Sequence, residues 1–381
     1  MAGPKQVILH DNEKVELRDL GSNFYCHEDD VGKKTRAQAS INLLKPLNSY
    51  VDVHVHEGEI NVNFLHQFDI VVFTDFYDIK KLTDWNNALR RLEKPIGFIF
   101  AGSLGLYGFT FVDYGPSFIV LDKDGEDPKS SIIAMITNDN PAQIATHEEK
   151  RHGFVDGDTV RFREVEGMPE INGKEFPIKV ISPIAFTIDQ DTTNWSKYIR
   201  NGVAEQIKLP ITIHFKSLEE SLKHPLGPEL PSFENPDLEK WGRPEHLHIS
   251  LNAILAFYQK NHRLPGLNNE QDAEQVLSLY EELNASGDGL KVDEVNKDLV
   301  KNIARLAQAQ TSCHAAFFGG IVAQEVVKFI GKFTPIRQWL HYDNFELLPE
   351  GEANRTLLNS RYDDQIAIFG QEFQEKLMNQ K

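Results

Sequence analysis

The sequence predicts an α/β fold: a doubly wound, largely parallel sheet, interrupted by a small all-β module and then by a bundle of helices. Three observations carry this. Two apolar runs of strand length, 70–74 (Ile-Val-Val-Phe-Thr) and 96–100 (Ile-Gly-Phe-Ile-Phe), flank a helical stretch over 79–92 in which Trp85, Leu89 and Leu92 recur at helical spacing. Strand, helix and strand in succession build a parallel sheet covered on both faces. Between 131 and 215 short β-type runs are separated by Gly, Pro, Asn and Asp, the texture of a small all-β module. After Lys216 the apolar spacing becomes helical.

Taken in order, 7–9 is a short strand that ends in His10-Asp11-Asn12-Glu13. In a dinucleotide-type unit an acidic cluster ends the second strand, after a Gly-rich turn and a helix. Nothing precedes the cluster here, so the sheet is expected to lack its first strand. The runs 109–112 and 118–121 read as an antiparallel pair turning at Tyr114-Gly115-Pro116. The glycines 102, 105 and 108 follow a late strand with no Lys-Ser/Thr after them, which favours a turn and close strand packing over a phosphate loop.

The β-module offers strands at 159–162, 178–181, 185–188 and 205–209, with Asn172-Gly173-Lys174 as a hairpin tip. Beyond a Pro-rich link (225–236), a helix over 246–261 carries Leu247, Leu251, Ile254 and Leu255 on one face. Helices over 272–283 and 298–308 each open on an Asp able to cap them. A helix over 315–330 holds Gly319 and Gly320, where close backbone contact is expected, and 339–342 reads as a strand returning to the first sheet.

At 381 residues the chain has room for roughly two to four domains. Its formal charge of −17 repels phosphate backbones and anionic lipids, which argues against nucleic-acid or membrane partners. No run approaches the roughly 20 apolar residues of a membrane helix, and the N-terminus lacks the pattern of a signal peptide. Cys26 and Cys313 are too few for a disulfide framework or a zinc site, so an intracellular, cytoplasmic and nuclear protein is expected. Cys313-His314 invites a nucleophile reading, but a Cys opening a helix is more simply packing, and Cys26 a small buried residue. His246, His248 and His314 form no ligand cluster in the sequence and read as capping or surface residues.

Three stretches resemble the ubiquitin-activating enzymes (E1) of the ubiquitin type. They are 314–343 (His-Ala-Ala-Phe-Phe-Gly-Gly to Trp-Leu-His-Tyr-Asp), 151–168 (Arg-His-Gly-Phe-Val-Asp-Gly-Asp-Thr to Glu-Gly-Met) and 360–370 (Ser-Arg-Tyr-Asp-Asp-Gln-Ile-Ala-Ile-Phe-Gly). The resemblance implies a Rossmann-like sheet of the ThiF/MoeB type. It divides the chain into an inactive adenylation domain (1–130 and 313–350), the first catalytic-cysteine half-domain (131–217), a four-helix bundle (218–312) and the start of an active adenylation domain (351–381). Active domains of the family hold ATP with an acidic strand end and an Asn-Leu-x-Arg-Gln-Phe-like run. Here Asp11 keeps the acidic position, while Asp19 stands for the Asn, Ser22 for the Arg and Asn23 for the Gln. A carboxylate gained and a guanidinium lost reverse the electrostatics that phosphates need, which makes a pseudo-site.

The resemblance further implies that this chain binds no cofactor itself, ATP and Mg belonging to the full-length enzyme. Its implied partners are ubiquitin and an active adenylation half, with E2 reached only through domains not in this sequence. Arg161, Glu164 and Glu166 are candidate ubiquitin contacts. Arg361, Tyr362, Asp363 and Gln365 would open the active domain. A free-standing non-catalytic pseudo-E1 subunit or a ubiquitin-binding scaffold is the alternative function.

Overall fold

The structure, a computed structural model, describes residues 3–147, 151–228, 230–233 and 240–380. Of the Pro-rich link at 225–236, Glu229 and 234–236 lie outside the described residues. The chain forms two compact units, one made of residues up to 118, 214–331 and from 335 on, the other of 119–213 with 332–334.

In the first unit β1 (Gln6–Leu9) and β2 (Asp52–Val55) make a two-stranded parallel sheet, with α1 (Asp19–Ser22) and α2 (Arg36–Leu44) between them in the chain. After α3 (Val62–Leu65), β3 (Ile70–Phe73) crosses through α4 (Ile79–Arg90) to the parallel β4 (Gly97–Leu104), as the alternation predicted. Asp78 caps α4 through Lys80 N at 2.8 Å, and Trp85 and Leu89 face the core.

The next strand corrects the expected pairing of 109–112 with 118–121. The chain reverses at Gly105, whose φ of +65° suits a glycine, so that β5 (Tyr107–Asp113) lies antiparallel to β4. The other edge of β5 takes a strand from far along the sequence, Trp339–Asp343, leaving none for 118–121. Every residue of β5 is buried, as befits a strand with partners on both sides. The run after it, β6 (Phe118–Val120), pairs instead with Ile211–Ile213.

The second unit is a closed barrel. Its strands are β7 (Ser130–Ile136), β8 (Ala142–Thr146), β9 (Thr159–Arg163), β10 (Glu175–Ser182), β11 (Ala185–Ile188) and β12 (Val203–Ile207), in the order β10-β11-β8-β7-β12-β9. Phe162, Phe186, Ile144, Val160 and Ala204 fill it at 0% exposure, and closure leaves no free sheet edge. Asn172-Gly173 is not the tip of a tight hairpin. It ends a longer connection over 164–174, in which the Asn172 side chain bonds both Val165 N (2.9 Å) and Val165 O (2.8 Å). β13 (Ile211–Ile213) leads back to the first unit.

The helices that follow are α5 (Leu218–Lys223), α6 (Arg243–Asn261), α7 (Glu270–Ala285), α8 (Lys297–Arg305) and α9 (Ser312–Gly331). The caps of α7 and α8 differ from expectation: Asn269 and Asn296, not the aspartates, accept the first-turn N–H groups. Asp272 is instead turned inward, where Arg263 (2.6 Å) and Gly266 N (2.7 Å) satisfy it. Leu251, Ile254 and Phe257 of α6 join Phe98, Phe100, Phe109 and Phe111 of the sheet and Trp339 of β14 (Trp339–Asp343) in one core. Each such side chain stabilises the fold by about 1.5–3 kcal/mol. The chain ends in α10 (Asp363–Phe369) and α11 (Gln371–Met378), with Ile366, Ala367 and Ile368 fully buried.

On α9 the close approach was expected at Gly319 and Gly320, yet a Cβ at either would meet open space. The close contact lies at Gly108 of β5, where a Cβ would stand 2.0 Å from the Phe318 ring. By length and composition alone α9 could cross a membrane, which corrects the statement that no run approaches this. Its buried Glu325 binds Lys328 (2.6 Å) and accepts from Ile336 N (2.9 Å).

Candidate pseudo-adenylation site

In an open α/β sheet ligands bind outside the carboxyl ends of the strands. At that end of β1 stands Asp11, half-buried, its Oδ1 accepting from Glu13 N (3.0 Å). Facing it is Arg36, the first residue of α2. A reciprocal capping box between Thr35 and Gln38 fixes where that helix starts, and so where the guanidinium sits. Arg36 Nε donates to Asp11 Oδ2 at 2.8 Å, and Nη1 lies 3.5 Å from Asp19 Oδ1. Burial works against the charge on Arg36. The hydrogen bond to Asp11 and the carboxylates of Asp11, Asp19 and Asp75 outweigh it and hold the guanidinium above its ordinary pKa. Burial and the nearby Asp75 and Asp11 push the Tyr77 hydroxyl up to about 12.

The structure therefore brings Asp11 and Asp19 together around one arginine. Among the described residues no hydrogen bond or ion pair joins the side chains of Ser22 and Asn23 to these carboxylates, though Asn23 N donates to Asp19 O at 2.7 Å. Ser22 ends α1, and Asn23 Oδ1 accepts from Tyr25 N (3.0 Å), shaping its own turn. Sequence reasoning missed Arg36; the Thr35-x-x-Gln38 capping box around it marks the start of α2 but not the pairing with Asp11 and Asp19.

Next to this crevice the loop before α1 meets α10. Arg18 Nη2 donates to Asp364 Oδ1 (2.8 Å) and to Gln308 O (2.5 Å), while Asp364 Oδ2 accepts from Gln310 N (3.0 Å). In the opposite direction Arg361 Nη2 donates to Leu20 O at 2.5 Å. Asp363 Oδ1 accepts from Leu358 N and Ser360 N (3.1 Å each), so it folds its own segment; Tyr362 precedes the helix and Gln365 is half-buried. A cleft of about 710 Å³, lined among others by Glu16, Leu17, Arg18, Val31, Leu357 and Asp363, opens beside this contact.

The three remaining candidates lie in the barrel unit. Arg161 on β9 pairs with Glu175 on β10. The strand ends at Arg163, so Glu164 and Glu166 lie beyond it, in the connection to β10. Glu164 takes a φ of +61° and has no ion-pair partner among the described residues. Arg200 and Asn201 each bond Glu166 at 2.8 Å and hold its carboxyl below the usual range. Among the described residues no three His, Cys, Asp or Glu side chains are placed to hold a metal ion.

The family model "Ubiquitin-activating enzyme E1 FCCH domain" matches residues 139–208, and "Ubiquitin-activating enzyme E1 four-helix bundle" matches 209–284. The whole chain aligns at 42% identity with "Ubiquitin-activating enzyme E1 1" of Arabidopsis thaliana, covering 35% of that protein. This chain is a homologue of the N-terminal portion of ubiquitin-activating enzyme E1. It is also 39% identical over its whole length to "Ubiquitin-like modifier-activating enzyme 1" of Homo sapiens, of which it covers 36%. The chain thus spans about a third of the length of these relatives. A solved structure, "Crystal structure of E. coli MccB + Succinimide", is similar over 29% of this chain and 34% of that one at 24% identity, with a TM-score of 0.25, too slight to bear on the fold.

In this E1 portion the FCCH match covers β8 to β12, and the bundle match runs from β13 into α7. Its histidines correct the surface reading. His248 and His341 are buried and bonded to each other at 3.1 Å, and His314 is buried with Nδ1 2.6 Å from Gly105 O. His246 is half-buried against the Tyr280 hydroxyl at 2.9 Å. Cys26 is buried as expected, and burial, then Asp19 and Asp30, push its thiol up to about 11. Cys313 is exposed rather than packed, its Sγ donating to Thr311 Oγ1 at 3.3 Å.

Proposed function

We propose that this chain is a non-catalytic part of a ubiquitin-activating enzyme: it packs against an active adenylation half and helps to hold ubiquitin, while ATP·Mg chemistry and transfer to E2 belong to the remainder of the enzyme. The observation that carries this is the neutralised Arg36. A nucleotide crevice needs cations and N–H donors aimed at phosphates. Here the guanidinium of Arg36 is spent on Asp11 and Asp19, and Ser22 stands where the family's arginine would be. On this reading the first unit is the inactive adenylation domain with the bundle set into it, and the cytoplasm and nucleus are its compartments.

Two surfaces suit the partners. α9 presents Ala315, Ala316, Phe317, Gly319, Gly320 and Ala323 outward, with Phe317 47% exposed; an uncharged helix face of small residues fits closely against another protein. In the barrel the carboxylate of Glu164, without an ion-pair partner among the described residues, suits a basic surface such as ubiquitin's, with Glu166 and Arg161 beside it in the chain.

One set of measurements tests both halves of the proposal. ATP–pyrophosphate exchange with ubiquitin should stay at background for the purified chain, and exchange above it would overturn the non-catalytic reading. Titration calorimetry should show ubiquitin binding that Glu164→Lys weakens about tenfold or more. Unchanged affinity would remove Glu164 from the contact.

A further inference from the structure

We infer that the loop over 11–23, which in a nucleotide-binding sheet would lie against a ligand, serves here as a socket for the chain's own segment 357–369, with Arg18 and Gly21 as the positioning residues. The loop's ligand is then a peptide of its own chain, not a nucleotide.

The contacts are reciprocal. Arg18 reaches from the loop to Asp364 of the segment at 2.8 Å, and Arg361 reaches from the segment to Leu20 O of the loop at 2.5 Å. Asp364 is 5% exposed, and a carboxylate that buried needs a charge partner; Arg18 supplies it, and Gln310 N takes the second oxygen at 3.0 Å. Shape completes the fit. An ideal Cβ on Gly21 would stand 2.2 Å from Arg361 O, so the segment can lie where it does only because position 21 has no side chain. Behind this contact Ile366, Ala367 and Ile368 are buried, Ile368 in the core that joins the sheet to the helices, and Asn268 Nδ2 donates to Ala367 O at 3.1 Å.

The purpose of the socket rests on the function proposed above: it fixes the place and direction in which the chain leaves this unit for a second adenylation half. The geometry stands without that reading. A site that has exchanged a diffusing ligand for a tethered one gains a permanent occupant, because the segment competes at the high effective concentration of an intramolecular partner.

Hydrogen–deuterium exchange on the full chain, with no ubiquitin or other partner present, tests the socket separately from the function. Arg18→Ala and Gly21→Ala should each speed amide exchange in 363–369 by roughly tenfold or more. Peptides of the barrel unit should exchange as in the wild type. Asp364→Asn, which keeps an acceptor for Gln310 N and removes the charge, should give the same local effect from the other side of the contact, and decides the matter if the first two variants fail to fold. Mg·ATP should leave 363–369 unchanged. Unaltered exchange in that segment in the folded variants would overturn the inference. So would release of the segment by Mg·ATP, which would make it a displaceable plug in a working nucleotide site.

Discussion

One methyl group added at Gly108 would stand 2.0 Å from the ring of Phe318, inside the contact between β5 and α9. The ring is itself buried, at 4% exposure, so Gly108→Ala should destabilise the first unit by about 1–3 kcal/mol, the usual cost of overpacking. Urea denaturation reads this directly, and a loss below about 0.5 kcal/mol would mean that α9 moves aside freely. In the sequence Gly108 was legible as a close-packing position, whereas Gly319 and Gly320 were misread, because a glycine shows that a side chain is missing and not which neighbour needs the space. The same limit hid the crevice chemistry. Asp11 and Asp19 could be singled out from the strand end before them, but Arg36 arrives from another element, and charge pairing across elements leaves no local pattern.

Between elements, a buried chain of hydrogen bonds ties helices to sheet. Leu222 O at the end of α5 can only accept, so His248 Nε2 on α6 carries the proton at 2.9 Å, and its Nδ1 must accept from His341 Nε2 on β14 at 3.1 Å. His341 Nδ1 then accepts from the Tyr107 hydroxyl of β5 at 2.9 Å, a single consistent order running through four elements. Burial lowers the pKa of His248 from 6.5 to about 4, and burial with the neighbouring His248 lowers that of His341 well below its usual value. The folded state thus binds fewer protons than the unfolded chain below pH 6.5. Stability is full above that pH and falls as the pH drops toward about 4, by about 1.4 kcal/mol per unit for His248 alone. His248→Gln should lower stability at pH 7.5 and flatten the slope between pH 6.5 and 4.5, and a wild-type slope equal to the variant's would refute the ordering. Helices, strands and their alternation were legible from periodicity. The return of 339–342 to the first sheet was legible, but its pairing with β5 was not, since a continuous apolar run says that both faces of a strand are buried and nothing about which strand lies along its edge.

Among the described residues the two largest cores are separate, one uniting the four-stranded sheet with the helices and one filling the barrel, while Val15, Leu20, Cys26 and Ala39 form a smaller cluster. Phe186→Ala in the barrel should cost that unit about 3–5 kcal/mol. Calorimetry should then show one transition lowered and the other in place; a single transition moving as a block would mean the units unfold together. The change of texture at 131 announced the barrel because alternation with frequent turn residues differs from helical spacing. That the sheet and the helices after Lys216 share a core was not legible, because an apolar stripe reveals which face is buried and not what it is buried against.

The chain departs for the barrel along β6 and comes back along β13, and these strands are hydrogen-bonded neighbours. An excursion that ends beside its own beginning burdens its host hardly more than a hairpin does, since the entropy of closing a loop rises only with the logarithm of its length. The barrel is in that sense a cassette. Residues added to its loops would therefore cost the host little further closure entropy.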